Sequence, residues 1–262
     1  MRLKVLTCEA LSREMYLAAA FSEHIIDFKF FNRNCHDEPK EMNKALQVEI
    51  DFTSLKMWDS VNSYDGIRCP ACSNEKYDYI IIGIGLCGNA ITNISARTIP
   101  LVIPRAHDCN TFLLGSKENF REFIDEEPGT IFYHFGQVER SGAERVDAVP
   151  KNTGLGQDIS EYIKKYGEEN ARYLKEMEYN WTRYHKRAAY LFPKIPLNLK
   201  NEKDKEICEY VKQFNWSVVK LLESKVFFVR LLSGNWDEDE FLIVPSGKKV
   251  VPTNDDSIIG FV

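Results

Sequence analysis

The sequence predicts an α/β fold: a mostly parallel, Rossmann-like sheet with helices on both faces and a helical insertion in the second half. Three observations predict it. Tyr79–Ile84 (YIIIGI) and Ile99–Ile103 (IPLVI) are apolar throughout rather than alternating, as strands buried on both faces are. Strand-like and helix-like segments alternate from Arg2 to Phe135, and that alternation implies parallel strands joined by right-handed crossovers. Beyond Phe135 the pattern changes to a Gly- and Pro-containing stretch followed by a long helical one.

Each element has its own warrant. Arg2–Thr7 (RLKVLT) is a short apolar strand, and Leu11–Phe21 is helical in composition. Ile25–Phe31 (IIDFKFF) is rich in β-branched and aromatic residues, the strand formers. From Pro39 to about Leu55, a proline start and the spacing of Met42, Leu46 and Ile50 predict a helix. A glycine-rich turn follows YIIIGI, then a short helix, Ala90–Ala96, which Asn89 would cap. Asp108–Phe123 reads as a helix interrupted near Gly115, and Thr130–Phe135 as a further strand of the same sheet. Val138–Gly156 reads as loop. Ile159–Leu191 reads as one long helix, with Ile163, Tyr166, Leu174, Met177, Trp181 and Ala188 roughly on one face. Glu202–Gln213 is a polar helix, Trp216–Leu222 a strand, Val226–Leu232 an apolar segment of either kind, and Phe241–Val244 a last strand. One α/β domain over 1–262 is the simplest organisation. The alternative is an N-terminal lobe, 1–137, and a helical plus small α/β lobe, 138–262.

Composition narrows the function. A net charge of −5 argues against a nucleic-acid partner, which needs a basic footprint. The longest apolar run, Tyr79–Leu86, is far short of the ~20 residues of a membrane span, so no membrane association is expected. The N-terminus lacks the long apolar core of a signal peptide, which predicts a cytoplasmic protein. In that compartment the seven cysteines read as thiols or metal ligands rather than disulfides.

Chemistry-bearing residues stand where predicted strands end. Cys8 follows RLKVLT, Cys87 follows YIIIGI, and His107 and Cys109 follow IPLVI. Ligands of open parallel sheets bind outside the carboxyl ends of strands, so these four could converge as metal ligands. Thiolate with imidazole suits zinc, and thiolates alone suit a [4Fe-4S] cluster. Taken singly, each cysteine also reads as a small buried hydrophobe. His36, after IIDFKFF with Cys35 beside it, is a further ligand or a general base. Arg105 could hold an anionic substrate bidentately or make a structural ion pair. Asp108 could orient a ligand histidine or cap the next helix. Gly83-x-Gly85-x-x-Gly88 matches a dinucleotide fingerprint weakly, and Gly85, Gly88 and Asn89 are the cofactor-binding candidates. The bland reading is that these glycines allow close backbone approach. Cys69-x-x-Cys72 is half a zinc knuckle without a second half. His24, His134, His185 and Cys208 read as packing or surface residues.

The segment Tyr77–Phe135, with GLCGN (Gly85–Asn89), IPLVIPRAHDC and a helix opening TFLLGS, resembles the domain of unknown function 1638 family. The strand ending in Cys8, the loop His36–Pro39 and the closing LLSGNWDEDEFLIVPSG are also similar to it. Cys69-x-x-Cys72 is not part of that pattern. The family's activity is obscure. Its members are often encoded beside corrinoid-dependent methyltransferases and corrinoid proteins, which implies a role near one-carbon transfer.

Three functions remain open at this level. One is a metalloenzyme, zinc favoured or [4Fe-4S], acting on a small thiol or anionic substrate as a methyltransferase-type enzyme. The second is a non-catalytic protein that binds a metal, a corrinoid protein or a methyltransferase partner. The third is a nucleotide binder using Gly83–Gly88.

Overall fold

The computed structural model describes residues 1–33, 38–54, 76–142, 158–193 and 198–262, with only the backbone described for 178–184 and 198–201. The chain forms two compact units, Met1–Lys117 with Lys225–Val262, and Glu118–Ser224.

The first unit is built on a five-stranded sheet. Its strands are β1 (Arg2–Cys8), β2 (Ile25–Phe31), β3 (Tyr79–Gly83), β4 (Leu101–Pro104) and β8 (Phe241–Val244), in the order β2-β1-β3-β4-β8. The first four are parallel and β8 joins β4 antiparallel. The apolar run of β3 has the physical cause expected for it. Ile80 and Ile82 belong to a cluster with Leu6, Ile103 and residues of α2 (Pro39–Ser54). Ile81, Val5 and Val102 alternate with them and are equally buried. Met42, Leu46 and Ile50 of α2, four residues apart, enter the core, and burying each contributes roughly 1.5–3 kcal/mol. On the α1 side, α1 (Ser12–Ala19) packs on α9 (Val226–Leu231), and α9 on α3 (Cys109–Leu114), where Phe112 stacks on Phe227 at 4.9 Å. The segment Val226–Leu232, open between helix and strand in the sequence, is this helix.

The short helix expected at Ala90–Ala96 does not form. Asn43 on α2 donates to the carbonyls of Ala90 and Thr92 at 2.9 and 2.7 Å, and Gln47 accepts from the Ser95 amide at 2.7 Å. The Asn93 and Ala96 amides bond instead to the carbonyls of Val250 and Lys248. Tertiary partners have taken the groups that an i→i−4 ladder needs. The same partners lead into a hairpin of β9 (Val250–Pro252) and β10 (Ile259–Phe261) that the sequence reading omitted.

The second unit has its own parallel sheet, β5-β6-β7, formed by Thr130–His134, Arg187–Phe192 and Ser217–Leu222. Two expectations are corrected here. Thr130–Phe135 pairs in this sheet and not in the larger one. Ile159–Leu191 is not one helix but α6 (Ile159–Tyr166), a break at Gly167 with φ +81°, α7 (Glu168–Tyr184) and β6. Before these come α4 (Lys117–Glu126) and α5 (Phe135–Ser141); α8 (Asn198–Lys212) follows β6, and its Ile207 and Val211 pack on Tyr133, Tyr190 and Trp216. The fold is therefore mixed α/β, with one parallel three-stranded sheet and one mixed five-stranded sheet.

Candidate thiol site

Strands β1, β3 and β4 are adjacent and parallel, so their carboxyl ends share one edge. From β1 the chain crosses to β2 on one side, while β3 lies on the other. A parallel sheet opens a crevice where successive connections diverge in this way. Cys8 is the last residue of β1, Cys87 lies four residues beyond β3, and Cys109 opens α3 after β4.

Local contacts hold the edge together. The Thr7 hydroxyl, fully buried, donates to the Gly83 carbonyl at 2.8 Å and ties β1 to β3. The amides of Leu86 and Cys87 donate to the carbonyls of Ala106 and His107, both at 2.8 Å. These two bonds pin the loop after β3 against the loop after β4. Gly85 sits at the closest approach: a Cβ there would lie 2.9 Å from the Asp108 Cα and amide nitrogen. Cys87, Gly88 and Asn89 then run in the left-handed region, with φ of 43°, 66° and 72°. Such a conformation costs a non-glycine residue about 1–2 kcal/mol, and the surrounding structure must impose it.

The sulfurs occupy one electrostatic neighbourhood. Burial pushes the Cys87 thiol up to about 12, and the Asp108 carboxylate and the Cys8 sulfur push in the same direction. Cys109 is raised well above its ordinary value by burial first, then by Asp108, Cys87 and Cys8. None of the three forms a disulfide among the described residues. Cys87 and Cys109 are protonated thiols at neutral pH, and only a cation able to displace those protons would turn them into ligands. As they stand, no three His, Cys, Asp or Glu side chains among the described residues are placed to hold a metal ion.

The other predicted residues fall in several places. His107 is exposed, and its carbonyl accepts the Cys87 amide. Asp108 is the N-cap of α3, accepting from the Asn110 amide at 2.9 Å, and also faces the thiols. Arg105 donates from Nε to the Glu238 carbonyl at 2.8 Å, and from Nη1 to the carbonyls of Ser257, at 2.9 Å, and Ile259. Those bonds commit much of the guanidinium to tying the end of β4 to the segment before β8 and to the β9–β10 hairpin. Asn89 caps no helix; its carbonyl accepts from the Thr92 amide and hydroxyl in a turn. Since no helix opens after Gly88, the arrangement that a dinucleotide phosphate uses is missing there. His36, Cys35, Cys69 and Cys72 lie outside the described residues.

Two charged residues at the same edge were missed. Register places Phe31 beside Cys8, and Arg33, 5% exposed, follows two positions later. Its amide donates to Glu9 at 3.0 Å, and Glu9 directly follows Cys8. The rule that selected the cysteines, residues just past strand ends, would have found both.

A family model described as "Protein of unknown function (DUF1638)" matches residues 30–225. The chain belongs to this family. The DUF1638 match includes Cys87, His107, Asp108 and Cys109, and leaves Cys8 and the closing LLSGNWDEDEFLIVPSG outside it. No curated protein and no solved structure matches the chain. Among the described residues no helix is long and apolar enough to cross a membrane.

Proposed function

We propose that Cys8, Cys87 and Cys109 form a three-thiolate metal centre, zinc in the first instance, at a Rossmann-like crevice between the ends of β1 and β3. The supporting observation is the mutual electrostatic influence of these three sulfurs, which arrive from the ends of three neighbouring parallel strands. Three protein ligands leave a fourth position open, as catalytic zinc sites do. There zinc would acidify a substrate thiol or polarise an oxygen. In the one-carbon setting that the family resemblance implies, the substrate is a small thiol or anion that gives or takes a methyl group, with a corrinoid protein as partner. Binding must draw the sulfurs together and release their protons, so affinity rises with pH.

A [4Fe-4S] cluster is the second reading. The exposure of His107 favours it, because an all-sulfur set of three then leaves one iron open to substrate.

Metal analysis of anaerobically purified protein tests both. About one zinc per chain supports the first reading; brown protein with iron and sulfide supports the second. Cys87→Ala and Cys109→Ala should each lose most of the metal, while Cys69→Ala should keep it. Wild-type protein without stoichiometric metal, or full metal in both site variants, ends the proposal.

A further inference from the structure

We propose that β2 is a self-complementary edge through which two copies of this chain pair antiparallel, making one continuous sheet. Among the described residues, β2 is paired on one side only, with β1. The Ile25 amide donates to the Met1 carbonyl at 3.1 Å, which fixes the phase: Ile25, Asp27, Lys29 and Phe31 point their backbone groups at β1. The amides and carbonyls of Ile26, Phe28 and Phe30 therefore point outward. A bare edge of this kind is a template for another strand.

The sequence of the edge selects the occupant. A two-fold axis through Phe28 sets Phe28 against itself and Ile26 against Phe30 of the partner subunit. All three outward residues then find hydrogen-bonded pairs, about six bonds in total, since each such pair exchanges bonds and self-pairing is antiparallel. In the same register Asp27 stands opposite Lys29 of the partner subunit, twice. These fall in the non-hydrogen-bonded positions, where side chains are closest. Lys29 is exposed and has no ion pair among the described residues, whereas Asp27 binds Arg2 and Tyr77 through Oδ2. No other register centred within the strand pairs all three outward residues.

The apolar surface continues beyond the strand. Tyr16 on α1 packs on Phe28 and Phe30 at 5.3 and 5.2 Å, so those rings lie on the α1 face. Around them Tyr16 is 59% exposed and Phe21 66%, with Leu17 also exposed. A monomer rarely leaves so many large apolar groups together in water. The two-fold axis, perpendicular to the sheet, puts both α1 helices on one face, with these patches toward each other. With Asp27 opposite Lys29 at both points the edge repels neither copy, and a charge-matched partner of this geometry is already present in every solution of the protein.

Sedimentation of the full chain tests this. Wild type should run at twice its 30.3 kDa mass in the micromolar range. Lys29→Asp sets acid against acid at both points and should weaken association at least about tenfold. Asp27→Lys alone should do likewise. Mixed in equal amounts, the two variants restore opposite charges in this register and should form a heterodimer. Should Asp27→Lys fail to fold, Phe28→Pro replaces it: its lost amide faces outward, so β1 pairing survives while dimerisation is lost. A monomeric wild type at 100 µM, or a dimer indifferent to Lys29→Asp, overturns the proposal.

Discussion

Gly85→Ala isolates the close approach on which the thiol site depends. The glycine is not needed for a left-handed φ; it is needed because a methyl group would sit 2.9 Å from the Asp108 Cα and amide nitrogen and 3.0 Å from the Ala106 carbonyl oxygen. All three are backbone atoms and none can rotate aside. The loops after β3 and β4 must separate, which strains the bonds from Leu86 and Cys87 to Ala106 and His107. Overpacking of this kind costs about 1–3 kcal/mol, and the entropy that alanine removes from the unfolded chain returns only about 0.4–1 kcal/mol. For a chain of this size each kcal/mol lowers the melting midpoint by roughly 2–4 °C. A fall of several degrees by circular dichroism is therefore expected. Parting the loops also admits water, so per-cysteine labelling read by mass spectrometry should show Cys87 and Cys109 reacting faster. Gly247→Ala is the control. Its φ of +81° makes alanine costly, but nothing lies within 4 Å, so stability should fall with no change at the thiols. If Gly85→Ala leaves both midpoint and labelling unchanged, the loops are not held by that contact and the account of the site is wrong.

Two further outcomes follow from the same geometry. Arg105→Gln removes a cation from three carbonyls and should lower stability by roughly 1.5–3 kcal/mol in urea unfolding, with bound metal unchanged; loss of metal instead would return Arg105 to the site. In metal-free protein the Cys87 thiol, held up to about 12, should label slowly with iodoacetamide at pH 8 and keep accelerating past pH 9. The unfolded chain ionises there first, near 9, so the native state holds protons the unfolded state has lost. This contribution to stability is present at neutral pH and declines as pH rises from about 9 toward 12. A labelling rate that levels off near pH 9 would show a solvated thiol.

The strands β3 and β4 of the larger sheet were legible because they are buried on both faces and so read as short, continuous apolar runs bounded by turn residues. The cysteines were legible because each stands at or a few residues past the end of a strand. The segment around Ala188–Leu191 was not legible as β6. A short apolar run fits a helix face as well as a strand, and its partners, Ile131–His134 and Val218–Leu221, are remote in sequence. Nor could Ala90–Ala96 be read, since Asn43 and Gln47, more than 40 positions earlier, claim its backbone groups.

Local order thus came from residue type and period: the parallel strands of the larger sheet, roughly where they end, and that a cysteine stands at or within a few residues of three of those ends. Long-range pairing alone decided the rest. It placed β5 in a separate sheet, forced Cys87 and Asn89 into left-handed backbone, and gave Arg105 carbonyl partners 133 to 154 positions away. Hydrogen bonds and close packing between distant segments act only after the chain has folded back, and no window of sequence carries their geometry.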